Sequence, residues 1–402
     1  MVIQKITNIL GWLLPVFFFL FPVNTLLSNL ILVLILVGFI VIFIRNGKVI
    51  QSWSRPATWL ALLFLWVLVG VAYSSASQSW ISLHLSKYSR FLFAIALMLL
   101  LISYPKWQKK SLAGFSLAML LTLILTLINH FFGLPWDNRP QLGWGVFGDH
   151  ITQNVMMSFF VVYCLSKLSK PFNTWPNFLW LIVLVFSVFS ITHFSTGRTG
   201  LIVLLASLGT WFAIKFGARK IWLGLPVLLL VAAGLLLSSN LMRDRFYLAV
   251  EEARKSDVDV SSNIGHRLYN YKITPKLILE KPIFGHGTGA YHTEICRFIE
   301  KPLKCNTYNW HSHNQFLFFA ADHGLVGVLI YMALLLSLYR TALKSKQPQA
   351  KILLAALTSI LVMDSLFNTP LFSSIESHFF LYMMALLVAM NIRPDDQTQA
   401  SF

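Results

Sequence analysis

Twelve apolar runs, each near the length that a bilayer core demands, dominate this chain. They lie at about residues 7–23, 27–44, 57–74, 90–104, 112–132, 153–168, 177–194, 199–216, 220–238, 324–342, 351–368 and 374–391. A helix needs roughly 20 apolar residues to cross the hydrocarbon region. With 56% hydrophobic and only 12% charged residues, the chain carries far more apolar surface than a soluble fold can bury. Continuous Leu/Phe/Val runs also exclude a transmembrane barrel, whose strands alternate polar and apolar positions. The expected class is an all-α polytopic membrane protein of about twelve transmembrane helices. The first run follows only MVIQKIT and lacks a small-residue cleavage site, so it reads as a retained helix rather than a signal peptide.

A formal net charge of +17 could point to nucleic acid, but the distribution of the basic residues points to topology instead. With the N-terminus inside, 17 of the 32 Lys and Arg fall in cytoplasmic segments, including Lys109, Lys110, Arg219 and Lys344. Short outer segments hold four: Lys87, Arg90, Arg139 and Arg198. The remaining 11 lie in one long loop, to which the positive-inside rule does not extend. Both termini are therefore expected in the cytoplasm. Membrane lipid is the implied surrounding, and nucleic acid is not a partner.

Three regions follow. Residues 1–238 hold the first nine spans, residues 239–311 form an outer loop, and residues 312–402 hold the last three spans in the same membrane domain. Within the loop, Gly265 to Leu279 has helical apolar spacing up to a Lys281-Pro282 stop. Gly285-His286-Gly287-Thr288-Gly289 follows no strand, so it reads as a turn rather than a nucleotide cradle. Cys296 and Cys305, nine apart, are expected to pair if the loop meets an oxidising compartment. Cys164, inside a span, is a small apolar filler. No Cys/His cluster has zinc spacing, no acidic pair resembles a DxD clamp, and no cofactor is expected. The tail DDQTQASF reads as frayed.

The four outer cations run against the orientation bias. Arg198, in the hairpin Ser195-Thr196-Gly197-Arg198-Thr199-Gly200, could meet anionic headgroups or hold a ligand phosphate in its planar fork. Arg139 lies among Trp136, Trp144 and Phe147, either an aromatic lid or an interfacial belt. Lys87 and Arg90, three apart, share a helix face and could simply snorkel. Carboxylates near the membrane are few: Asp322, Asp364 and Glu376. Neither the buried acids of a proton-coupled transporter nor the acidic rings of a cation pore are evident.

Directly after the loop stands His313-Asn314, and after nine further residues Gly324-Leu325-Val326-Gly327. An imidazole at a membrane boundary is either a general base or part of a capped helix end. If residues 312–327 formed one helix, Gly324 would lie roughly 16 Å below His313 on nearly the same face. The glycines would then make either a groove for a long ligand or a bend. The groove is the expectation carried forward.

The pattern His-Asn-x9-Gly-x-x-Gly resembles the signature of the bacterial O-antigen ligase and polymerase-like family. The Ser195–Gly200 hairpin resembles that family's Ser-x-x-Arg-Thr-Gly element. Arg267 with Lys281-Pro282-Ile283-Phe284-Gly285-His286-Gly287 resembles its Arg…Pro-(apolar)2-Gly-x-Gly element. The resemblance implies a GT-C-type membrane glycosyltransferase that uses neither nucleotide nor metal. Such an enzyme moves O-polysaccharide from undecaprenyl pyrophosphate to a sugar hydroxyl of lipid A–core, facing the periplasm from the inner membrane. It implies inversion, with His313 as base and with Arg198 and Arg267 stabilising the departing pyrophosphate. Candidate substrate-binding residues are Arg139, Lys87, Arg90, Asn314, His311 and Tyr269. His311 and His323 compete with His313, yet only His313 precedes Asn at the motif spacing. Rival readings are a polymerase, a protein O-oligosaccharyltransferase of the same family, and a lipid-linked sugar transporter.

Overall fold

The computed structural model describes residues 2–45, 53–133, 145–168, 171, 173–195, 197–255 and 259–392. Within them the chain is helical, and the elements run in order as α1 (Val2–Leu20), α2 (Thr25–Arg45), α3 (Arg55–Val71), α4 (Gln78–Tyr88), α5 (Arg90–Ser103) and α6 (Gln108–Phe132). Then come α7 (His150–Lys167), α8 (Trp175–Thr192), α9 (Arg198–Phe216) and α10 (Ile221–Ser238). The loop region holds α11 (Asn240–Arg254), α12 (Asn263–Glu280), α13 (Tyr291–Glu294) and α14 (Cys305–Tyr308). The chain returns to the bundle in α15 (Gln315–Lys344), α16 (Pro348–Phe367) and α17 (Ser374–Asn391).

Each of the twelve apolar runs is helical, but the expected number of spans is not reached. Nine helices of the described residues are long and apolar enough to cross a bilayer. Helices α1 and α3 have an apolar core too short to qualify, and α7 is interrupted by Thr152, Gln153 and Asn154 on its buried side.

Helix α17 has 89% of its span buried, with the polar Glu376, Ser377 and His378 included, which is the position of a central helix. It packs against α5 and α16, while α16 also lies on α9 and α15. At the other extreme only 6% of α10 is covered, and Trp222, Leu223 and Leu230 face outward. Exposed apolar area on that scale needs lipid against it. Lipid also removes most of the hydrophobic drive between helices, so close packing must hold the bundle. Gly114 of α6 shows this, since a Cβ there would sit 2.2 Å from the Pro15 carbonyl oxygen of α1.

The loop folds onto one end of the bundle. Helix α12 spans Asn263–Glu280, close to the range its apolar spacing predicts. Cys296 and Cys305 are joined in a disulfide, with their Cα atoms 5.2 Å apart. The glycine-rich stretch is a turn: the His286 and Gly287 N–H groups donate to Ala321 O (3.0 Å) and Asp322 O (2.8 Å).

That turn overturns the groove expected below His313. Helix α15 breaks at Gly324 (φ 62°, ψ −166°), a backbone conformation that only glycine adopts without strain. The carbonyls of Pro282 and Ile283 take the freed N–H groups of Leu325 (2.8 Å) and Val326 (3.3 Å). A Cβ on Gly324 would meet Ile283 O at 2.2 Å, so the missing side chain makes room for the protein's own backbone. The bend was the correct alternative. A cleft of about 710 Å³ does lie beside the insert, lined by Trp66, Tyr73, Lys281, Ile283 and Phe284.

Candidate active site

Asn314 sets the geometry at the start of α15. Its Oδ1 accepts the N–H groups of Phe316 (2.9 Å) and Leu317 (3.0 Å), and its Nδ2 donates to Leu366 O (3.2 Å). All its polar atoms are thus engaged in capping the helix and tying it to α16. The cap places His313 one residue outside the helix, in the left-handed region at φ 54°. His313 is the one non-glycine with positive φ among the described residues, and such positions cost on the order of 1 kcal/mol or more.

Two neighbours hold this strained residue. His311 Nδ1 accepts the His313 N–H (3.1 Å), and the Tyr271 hydroxyl shares its one proton between the His313 carbonyl (2.9 Å) and Leu366 O (2.8 Å). The backbone of His313 is pinned while its ring makes no hydrogen bond at Nδ1, which is buried. The ring lies edge-on to His311 (centroids 4.2 Å) and to His266 (5.0 Å). Burial pushes its pKa well below the ordinary imidazole value, and the charges of His311, Arg267 and His266 push the same way. His311 is lowered to about 3 by burial, then by Arg267, His266, His292 and Lys87. Both imidazoles are therefore neutral near pH 7, and His311, accepting at Nδ1, carries its proton on Nε2.

Arg267, one turn into α12, supplies the charge beside His313. Burial lowers its pKa, and Tyr271, Asp364, Glu376 and Glu252 oppose that effect. Arg198 stands at the first turn of α9, where Gly197 offers no side-chain cap. A cation at the positive end of a helix is unfavourable unless an anion lies nearby. Glu252 supplies one at 3.6 Å, and Arg198 also donates to Arg245 O (3.2 Å). The hairpin glycines let α9 start so close to α7: a Cβ on Gly197 or on Gly200 would lie 2.7 Å from the Asn154 Nδ2.

The other expected binders sit elsewhere. Lys87 is 7% exposed, donates to Phe372 O (2.8 Å) and lies over the Phe372 ring (4.2 Å), so it points inward rather than snorkelling. Arg90 donates to Ser377 Oγ and reaches Ser374 O at 3.5 Å. Both cations clasp the connection between α16 and α17. The Tyr269 hydroxyl accepts from Glu300 N (3.0 Å), bracing the loop. His323 is fully buried in α15. Arg139, Trp136, Trp144 and Thr196 lie outside the described residues. Among the described residues no three His, Cys, Asp or Glu side chains gather as a metal site.

The stretch that carries Arg198, Arg267 and His313 also carries a family match. Residues 182–332 match the family described as O-antigen ligase. Over those residues the chain is similar to that family. No curated protein matches the chain. The O-antigen ligase-like segment runs from α8 to just past the Gly324 break, so it encloses the three residues brought together at the loop side of the bundle. Sequence reasoning missed His266, Tyr271 and Glu252. His266 was adjacent to Arg267 and within reach of notice. Tyr271 and Glu252 carried no local signal, because their partners are 42 and 54 residues away along the chain.

Proposed function

We propose that this protein is an O-antigen ligase, transferring polysaccharide from undecaprenyl pyrophosphate to a sugar hydroxyl of lipid A–core. The observation that carries the reading is the pinned, left-handed His313, its ring nitrogen unpartnered, beside Arg267. The orientation bias of the basic residues supports a periplasmic position for this end of the bundle.

In this mechanism the acceptor oxygen attacks the anomeric carbon as the bond from that carbon to the pyrophosphate oxygen breaks. The leaving group takes the electron pair, and His313 takes the acceptor proton, so the anomeric configuration inverts. A free sugar hydroxyl does not ionise near neutrality, and a positioned base is worth about 10²–10⁴-fold. Arg198 and Arg267 stabilise the charge that grows on the pyrophosphate, the kind of interaction worth about 10²–10³-fold. These parts work together. With the site empty, burial, with the neighbouring charge of Arg267 adding to it, holds His313 neutral and weakly basic. A bound pyrophosphate offsets that positive charge, raises the imidazole pKa, and strengthens the base when the donor is present.

The test is reconstitution in liposomes with undecaprenyl-pyrophosphate glycan and lipid A–core. Covalent transfer that requires lipid A–core is expected. Elongation of the lipid-linked glycan without lipid A–core would identify a polymerase, and movement of glycan without bond formation would identify a transporter.

A further inference from the structure

Trp310, three residues before His313, keeps 48% of its surface exposed. Its surroundings are otherwise fixed. The Lys87 ammonium lies 5.5 Å from the ring centroid, Phe372 packs at 5.7 Å and Trp80 meets it edge-on at 6.1 Å. Trp80 is itself stacked on His292 at 3.9 Å. His292 is held on three sides: its Nδ1 by Asn309 O (2.7 Å), its Nε2 by His84 Nε2 (2.8 Å), and its carbonyl by Asn309 Nδ2 (2.7 Å). The Asn309 carbonyl requires a proton on His292 Nδ1, so a neutral His292 accepts from His84 at Nε2. A tryptophan that merely anchors a membrane interface needs no such brace. Here one flank of the indole is immobilised by buried groups while the rest stays open.

The position of this surface relative to the reacting groups gives it a role. Arg267 directly follows His266, whose ring lies 5.0 Å from that of His313, and the His313 ring lies 4.2 Å from that of His311. Trp310 directly precedes His311 in the chain, and His292 and Lys87 lie against the two tryptophans. Along these contacts the order is Arg267, then the imidazoles of His266, His313 and His311, then the indole of Trp310. In an in-line displacement the entering oxygen and the leaving pyrophosphate lie on opposite sides of the anomeric carbon. A pyrophosphate at the arginines therefore brings the acceptor in from the indole flank. A sugar presents a face of C–H bonds that packs on an aromatic ring, and a pre-positioned indole orders few groups on binding.

Resting on the ligase reading, we propose that Trp310, backed by Trp80, is the stacking platform for the acceptor sugar ring that carries the attacking hydroxyl. The full-length protein in detergent is titrated with core oligosaccharide released from lipid A by mild acid, and separately with undecaprenyl pyrophosphate. Transfer from lipid-linked glycan to lipid A–core is measured in parallel. Trp310→Ala is expected to weaken the oligosaccharide about tenfold and leave undecaprenyl pyrophosphate unchanged, while Trp310→Phe stays within about twofold of the parent. Unchanged oligosaccharide binding in Trp310→Ala overturns the platform, as does equal loss of both ligands, or failure of the parent protein to bind the oligosaccharide. A parent protein that binds the oligosaccharide through Trp310 yet transfers nothing upholds the platform and removes the ligase reading instead.

Discussion

Two pairs of cations stand on the loop side of this bundle, and they do different things. Lys87 and Arg90 donate to Phe372 O, Ser374 O and Ser377 Oγ, so they hold the α16–α17 connection. Arg198 and Arg267 are only partly matched. Arg198 has a carboxylate at 3.6 Å and one backbone carbonyl, and Arg267 sits among Tyr271, Asp364, Glu376 and Glu252 next to a neutral imidazole. In sequence Lys87, Arg90 and Arg198 break the orientation bias alike, while Arg267 lies in the long loop to which that bias does not extend. What separates them is what they face: Lys87 and Arg90 meet neutral oxygens of the α16–α17 connection, while Arg198 meets a carboxylate and Arg267 the charges around His313. A cation beside the candidate base is placed for a polyanion, and one that ties two helices together is a fastener.

That contrast can be broken by substitution. The largest effect falls on the base: His313→Ala is expected to lower transfer by about 10²–10⁴-fold with thermal unfolding unchanged, read by single-turnover transfer on folded protein. Next, Arg267→Gln should lower the rate by about 10²–10³-fold and weaken undecaprenyl pyrophosphate, again without loss of fold. Lys87→Met should do the reverse. It leaves Phe372 O without its buried donor, removes about 1–3 kcal/mol of stability, and lowers the transfer rate per folded molecule far less than Arg267→Gln does, through the cation lost from beside Trp310. If Lys87→Met instead abolishes transfer in well-folded protein, the division between site and fastener fails.

The histidines sharpen the comparison through pH. His311 and His292 are held at about 3 and about 4 by burial, below the ordinary 6.5. The folded state therefore binds fewer protons than the unfolded one below pH 6.5. Their stabilisation is complete above 6.5 and is lost as pH falls towards about 3. Melting temperatures measured across that window should fall with pH, and His292→Gln should flatten the decline. The smallest effect is at the helix cap, where Asn314→Ala should remove about 1 kcal/mol and lower transfer indirectly by freeing His313 from its register.

Much of this was legible in the sequence for reasons that are local. Apolar runs mark helices because lipid demands them, and the spacing through Gly265–Leu279 and the Cys296–Cys305 pair need only nearby residues. The break at Gly324 was not legible as such. It depends on the carbonyls of Pro282 and Ile283, some forty residues earlier, replacing helical partners of Leu325 and Val326. The same limit hid the division between cations, since Lys87 meets Phe372 across 285 positions. The choice between His311 and His313 illustrates both. Motif spacing favoured His313, and the geometry adds a reason, because His311 Nδ1 is occupied by the His313 N–H.

The most direct test of that assignment sets His313→Ala beside His311→Ala in the same liposomes, with undecaprenyl-pyrophosphate glycan and lipid A–core, and measures transfer in a single turnover. The account predicts near-complete loss for His313→Ala and a partial loss for His311→Ala, whose role is to brace its neighbour. Full transfer by folded His313→Ala protein would contradict it.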